Sequence, residues 1–286
     1  MTHYLSISTG GSYTMSTHEC KGFFKAAGAN IYFESKGHGE NILLLHAGIA
    51  DSRMWDKEFH LLSEKYRVVR FDLPGFGFSD FTEGNYAYSN IINELLTHLD
   101  IKDTHILAAS FGGKLAIDFY LENPEKCLSL ALLSPALGGW KGSSFLQKYE
   151  EDEERLLQEG KIEETAKLNY KTWILRNRDA ELINVDVKQL VVDMQMKFLI
   201  KPEAKNSCEE IKNEDHILQL KNIRIPVLII NGEYDVEDFH DISEVMIKEI
   251  SYVKKNTMPN TAPLANLESP KQFLNLISDF FLDNAN

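Results

Sequence analysis

Residues 106–113 read Ile106-Leu107-Ala108-Ala109-Ser110-Phe111-Gly112-Gly113. An apolar run stops at a serine flanked by small residues, and two glycines open the next segment. Residues 104–109 read as a buried strand, and residues 111–122 as a helix that stops near Pro124. A serine on such a sharp strand-to-helix turn has the form of a nucleophile elbow, which holds its hydroxyl out at the top of a parallel sheet. A serine that only caps a helix N-terminus reads the same locally. The segments on either side therefore decide.

Working outward, short apolar runs alternate with helical spacing. Residues 23–27 and 31–35 flank a turn at Gly28 and suggest a hairpin. Strands are expected at 41–46, 66–71, 104–109, 127–133, 225–230 and, more weakly, 251–257. Ile91, Ile92, Leu95, Leu96 and Leu99 share one face of a helix over 86–99, and a terminal helix runs over 271–282 behind Pro270. This order predicts an α/β fold, a mostly parallel doubly wound sheet with helices on both faces. The pattern breaks after Pro135. The stretch to Asn222 is charged and lacks strand-like runs. It opens on a flexible Gly138-Gly139-Trp140-Lys141-Gly142 and continues with helices around 150–159, 162–176 and 185–199. The expected division is a loose tail over 1–21, a core over 22–137 and 221–286, and an inserted helical cap over 138–220. Met15 is an alternative start.

Bulk properties exclude several classes. The chain has 286 residues, 30 basic and 43 acidic, for a net charge of −13. That balance opposes nucleic acid and anionic membrane surfaces, which need clustered Lys and Arg, and suits a soluble protein with a small-molecule partner. Cys20, Cys127 and Cys208 have no CxxC spacing, so neither a disulfide framework nor a zinc site is expected. The acidic run over 150–154 reads as a solvated face and not a metal site. No signal peptide and no membrane-spanning run is read, and the expected location is the cytoplasm.

Four segments fall in one order. His46-Ala47-Gly48-Ile49 comes after a strand, and Asp72-Leu73-Pro74-Gly75-Phe76-Gly77-Phe78-Ser79 comes after the next. The elbow at Ser110 is third, and Asn231-Gly232-Glu233-Tyr234-Asp235 succeeds the strand over 225–230. Gly75 and Gly77 lack the full dinucleotide fingerprint, which argues against nucleotide binding. Taken together, and with residues 258–270 (MPNTAPLANLESP), the chain over 23–282 resembles the α/β-hydrolase family of serine hydrolases. The resemblance implies Ser110 as nucleophile and Asp235 as triad acid, with Glu233 and Asp238 as neighbouring alternatives. It implies oxyanion-hole N–H donors at Gly48 and Phe111, a structural His46, and no cofactor or metal. Ile49, Trp140 and Trp173 are substrate-pocket candidates, with Phe198 beside them in the cap. Ala108 stands where the elbow more often has glycine.

The departure is Pro263. The family's catalytic histidine stands just before the Leu264-Ala265-Asn266-Leu267-Glu268 stretch, and proline cannot act as a base. A serine hydroxyl is a weak nucleophile until a base takes its proton. His240 and His216 are the substitutes to consider. His105 starts a strand at the end away from Ser110, and His98 ends a surface helix. Serine at the elbow argues against chemistry that uses a carboxylate nucleophile, as in haloalkane dehalogenases and epoxide hydrolases. The expectation is ester, lactone or related acyl hydrolysis through a Ser110 acyl-enzyme, impaired by Pro263. The alternative is a non-catalytic small-molecule binding or signalling protein on the same scaffold.

Overall fold

A computed structural model describes residues 19–202 and 208–285. Strand β1 (Cys20–Ala26) pairs antiparallel with β2 (Ala29–Lys36), and the turn between them holds Ala27 and Gly28 at positive φ. Next come β3 (Asn41–Leu45), α1 (Asp56–Leu62), β4 (Arg67–Phe71), β5 (Gly84–Tyr86) and α2 (Tyr88–His98). The elbow joins β6 (Thr104–Ala109) to α3 (Phe111–Glu122), and β7 (Cys127–Leu133) comes after it. Helices α4 (Ser144–Gln158), α5 (Ile162–Tyr170) and α6 (Val185–Leu199) are inserted before β8 (Cys208–Glu210) and α7 (His216–Gln219). The chain closes with β9 (Val227–Gly232), α8 (Glu237–Glu249), β10 (Val253–Met258), α9 (Ala265–Glu268) and α10 (Pro270–Asp283).

Among the described residues the main sheet has eight strands in the order β1-β2-β4-β3-β6-β7-β9-β10. β2 meets β4 antiparallel, and every pairing from β4 to β10 is parallel. Period-two alternation sends neighbouring residues of each strand to opposite faces. Leu43, Leu45, Ile106, Leu130 and Ile229 join α2, α3 and α8 residues such as Leu95, Phe119 and Phe239 in one core. Ile42, Leu44, Leu107, Ala131 and Ile230 join Phe59 of α1 and Phe273, Ile277 and Phe281 of α10 in the other. Both faces are covered, so the inner strands are largely apolar; β6 and β9 are buried at every position. The fold is the doubly wound α/β sheet that the sequence order predicts.

The strand order reverses direction between β3 and β6. The chain leaves β3 toward one edge of the sheet and β6 toward the other, and a crevice opens at the carboxyl ends of these two strands. Gly48 and Ser110 lie there. The end of β3 and the start of α3 approach closely because Gly112 has no side chain: a Cβ on it would sit 2.5 Å from the Leu45 carbonyl oxygen and 2.7 Å from that of His46.

Three local readings need correction. The stretch expected to lack strands contains β8, which pairs with β5 in a small parallel sheet that three-residue strands do not announce in sequence. The first inserted helix starts at Ser144, earlier than the acidic run, because the Ser143 side chain caps it. The glycine segment after Leu137 is packed and not free: a Cβ on Gly138 would lie 2.2 Å from the Asn213 carbonyl oxygen, and the Gly138 N–H donates to His216 Nδ1 at 3.0 Å.

Gly112→Ala should force β3 and α3 apart. The expected loss is about 1–3 kcal/mol of stability, read as a lower urea midpoint with an unchanged slope. An alanine variant as stable as the parent would mean that the β3–α3 approach is not set by this residue.

Candidate active site

Ser110 has φ 50° and ψ −114°, a conformation that side-chain-bearing residues rarely hold. Its side chain makes no capping bond to α3, so the cap alternative does not describe this serine. The backbone around it is fixed on three sides. Ser110 N donates to Leu133 O at 2.9 Å, and Ser110 O accepts from Gly113 N at 2.8 Å and Ala136 N at 3.0 Å. The hydroxyl is thereby turned to a cavity of about 340 Å³, within the size range of small-ligand sites. Gly48, Ile49, Phe111, Trp173 and Phe198 line this cavity, as does Pro263. Among the described residues, the N–H groups of Gly48 and Phe111 find no acceptor within the protein. Phe111 begins α3, where the helix dipole favours negative charge.

Asp235 lies beyond the end of β9 and is 6% exposed. Its Oδ2 accepts from Ser134 Oγ at 2.7 Å and from Asn231 Nδ2 at 2.9 Å. Its Oδ1 is buried with no partner. The two alternative acids are engaged elsewhere. Glu233 accepts from Asn260 N, and Asp238 accepts from Ser143 N, Ser143 Oγ and Trp140 Nε1. That last bond corrects one pocket candidate. Trp140 is not part of the cavity wall, because its indole N–H reaches Asp238 of α8 instead.

The loop bearing Pro263 is pinned to the loop bearing Asp235. Tyr234 N donates to Thr261 O at 2.8 Å, and Ala262 N donates to Glu268 Oε1 at 2.8 Å. Glu268 in turn holds Arg178 through two bonds, at 2.7 and 3.1 Å.

No described histidine lines the cavity. His46 is buried; its Nε2 accepts from Leu73 N at 2.9 Å and Nδ1 faces Ala47 O at 2.8 Å, so it ties two loops together. Burial pushes its pKa down. His216 is fully buried between Asp118 and Gly138. It accepts at Nδ1 and therefore donates from Nε2 to Asp118. His240 lies in the first turn of α8, with its pKa lowered by partial burial. His105 pairs with Ser129 at the far end of the sheet, and His98 stacks on Phe24.

A family model of the alpha/beta hydrolase fold matches residues 40–270. The chain belongs to the α/β-hydrolase family. It is 26% identical over 255 residues to a pimeloyl-[acyl-carrier protein] methyl ester esterase of Nitrosospira multiformis, covering 86% of this chain and 95% of that protein. It is 24% identical over 235 residues to a 3-oxoadipate enol-lactonase of Acinetobacter baylyi, covering 80% and 84%. In structure it is similar to the naproxen esterase of Bacillus subtilis, with a TM-score of 0.77 and 19% identity over 93% of this chain and 92% of that one. These relatives are esterases and hydrolases, which supports hydrolase chemistry in this α/β-hydrolase.

Sequence reading misses part of the site. Ser134 directly follows β7 with φ 44° and supports Asp235; the only signal is the Ser134-Pro135 stop after an apolar run. Tyr149, Glu153, Asn169 and Gln195 reach the cavity from the inserted helices. Their helices carry no motif, only an amphipathic pattern. Among the described residues no group of three or more metal-type ligands forms, the acidic run included. No described helix is long and apolar enough to cross a membrane.

Burial raises the Asp235 pKa from 3.8 to about 7, against the pull of its Asn231 and Ser134 hydrogen bonds. The folded state therefore holds this proton to higher pH than the unfolded chain does. Its contribution to stability is full below pH 3.8 and is lost as pH rises through about 7. The loss is at most about 4 kcal/mol. Glu58, buried in α1, adds a loss of the same sign between pH 4.5 and about 8. Asp235→Asn keeps an oxygen for Ser134 and Asn231. Chemical unfolding at stepped pH should show this variant losing the Asp235 share of the slope and keeping the Glu58 share. Parallel pH profiles for variant and parent would refute the assignment.

Proposed function

We propose that this α/β-hydrolase acts on the carbonyl of esters, lactones or related acyl compounds through Ser110, and that Pro263 limits its turnover. The reading rests above all on Ser110, strained at φ 50° on the elbow and facing a cavity that it shares with two free N–H donors. In the proposed reaction, Ser110 Oγ forms a bond to the carbonyl carbon and the carbonyl oxygen takes up the electron pair. The Gly48 and Phe111 N–H groups hold that oxyanion. The oxyanion collapses, the C–O bond to the leaving alcohol breaks, and the alcohol leaves with the proton that Ser110 gave up. Water then attacks the acyl carbon, the bond to Ser110 Oγ breaks, Oγ takes a proton from the water, and the acid is released.

The weak point is the Ser110 proton. Losing the histidine from a Ser-His-Asp triad costs on the order of 10⁶ in turnover, about 8 kcal/mol of barrier. The oxyanion hole and binding leave a residual of about 10³ to 10⁴ over water. Asp235 is the proposed triad acid, and its unpartnered Oδ1 is the oxygen an imidazole at position 263 would engage. Residues 138–220 are proposed to form a cap over the pocket, and the protein to work in the cytoplasm with free cysteines. A second reading, a ligand-binding or signalling role without turnover, is favoured by one observation: no described histidine lines the cavity.

Pro263→His tests the proposal. The introduced ring should take the Ser110 proton at one nitrogen and donate to Asp235 from the other. Hydrolysis of p-nitrophenyl acetate should rise by about two orders of magnitude or more, and Ser110→Ala should abolish the gain. A folded Pro263→His protein with no gain on esters or lactones, and with Ser110 unlabelled by a fluorophosphonate, would replace this reading with the binding one.

A further inference from the structure

Sixteen residues line the cavity at Ser110, and among these described residues Glu153 alone carries a charge. The rest of the wall is largely apolar, with Ile49, Phe76, Trp173 and Phe198 among its members. Glu153 sits on α4 of the inserted segment, one turn after Tyr149. The Tyr149 hydroxyl donates to Glu153 Oε1 at 2.9 Å and lies 3.0 Å from Asn169 Oδ1. Asn169 Nδ2 donates to Gln195 Oε1, and both amide side chains are almost fully buried. Three helices therefore hold one carboxylate in a set position. Among the described residues no Lys, Arg or His forms an ion pair with it, whereas its helix neighbours Asp152 and Glu159 are both paired.

A carboxylate on an apolar wall needs a hydrogen-bond donor or a cation, and it repels a second anion. We infer that this cavity selects acyl compounds whose body is apolar and whose far end carries a hydrogen-bond donor, ammonium before hydroxyl, and that it rejects those ending in a carboxylate. Glu153 is the specificity-determining residue. This rests on the reading of Ser110 as the acylated group. Tyr149, Asn169 and Gln195 are positioning residues: Tyr149, which contacts Asn169 and through it Gln195, fixes one oxygen of the half-buried Glu153 and leaves its second oxygen for the ligand.

The test uses p-nitrophenyl hexanoates bearing a terminal amine, hydroxyl or carboxylate. The p-nitrophenolate burst reads acylation of Ser110 without needing deacylation, in the parent and in Pro263→His. The amine ester should acylate about tenfold or more faster than the carboxylate ester, since like charges face each other in the second case. Glu153→Gln keeps a partner for Tyr149 and should bring the two rates together. Equal rates in the parent, or a preference for the carboxylate ester, overturn the inference and leave the Ser110 reading intact. If no ester gives a burst in either protein, the Ser110 reading fails. Thermal stabilisation by the three matching hexanamides, which cannot acylate, then still reads the wall. Stabilisation by the amine amide that disappears in Glu153→Gln supports the inference, and equal stabilisation by amine and carboxylate amides overturns it.

Discussion

The turn at Ser110 is the constraint on which the rest of the site depends. A side-chain-bearing residue at φ 50° is strained, by roughly 1–3 kcal/mol, and persists only where the surroundings over-determine it. Here β7 takes its N–H, α3 and the chain after β7 share its carbonyl, and Gly112 lies against the end of β3. Ser110 and Phe111 line the same cavity as a consequence. So does Gly48, because β3 and β6 are neighbours at the point where the strand order reverses. Relaxing that one residue would separate all three groups.

The Asp235 side of the site is built independently of residue 263. Asp235 is oriented by Ser134 and Asn231, and its loop is tied to the next by Tyr234 and Thr261. That second loop is held by Ala262 to Glu268 and by Leu264 to Leu267. None of these bonds uses the N–H or the side chain at position 263. Proline, which lacks the donor and fixes its own φ, is therefore accommodated without unpicking the loop. On the proposed reading, position 263 lacks a base while the frame around it stands.

How much of this is legible in the chain depends on what each signal measures. The helix over 111–122 and the strands over 104–109 and 127–133 match residue for residue, because a turn serine, paired glycines and Pro124 punctuate them. The strands over 225–230 and 251–257 start two residues later in the structure, since an apolar or β-branched run does not reveal where pairing begins. β5 and β8 are invisible because three-residue strands carry no period. The packed glycines after Leu137 read as flexible because sequence shows the missing side chain and not the Asn213 carbonyl that requires its absence. Trp140 is misplaced for a related reason: a tryptophan near the cavity is also a donor, and Asp238 claims it. Glu153 sits in a stretch of like charges, so composition marks it as solvated surface, and only the meeting of three helices turns it inward.

Several departures from ordinary folding economy lie on the segments that build the site. Ser110 and Ser134, at the ends of neighbouring strands, both sit at positive φ. Asp235 is buried with one oxygen unpartnered, a state that costs about 1–3 kcal/mol. Glu153 faces an apolar wall without a cation. The sheet itself is well packed: the inner strands are largely apolar, both faces are covered, and the helix faces match the cores they meet. Departures of this kind are tolerated at functional sites. Those at Ser110, Ser134 and Asp235 fit a site at the strand ends, whereas others, such as Ala27 at positive φ and the buried Glu58, lie elsewhere in the fold. Pro263, which carries no titratable group, lines the same cavity as Ser110. The remaining strain still points at a ligand seated between Ser110 and the inserted helices.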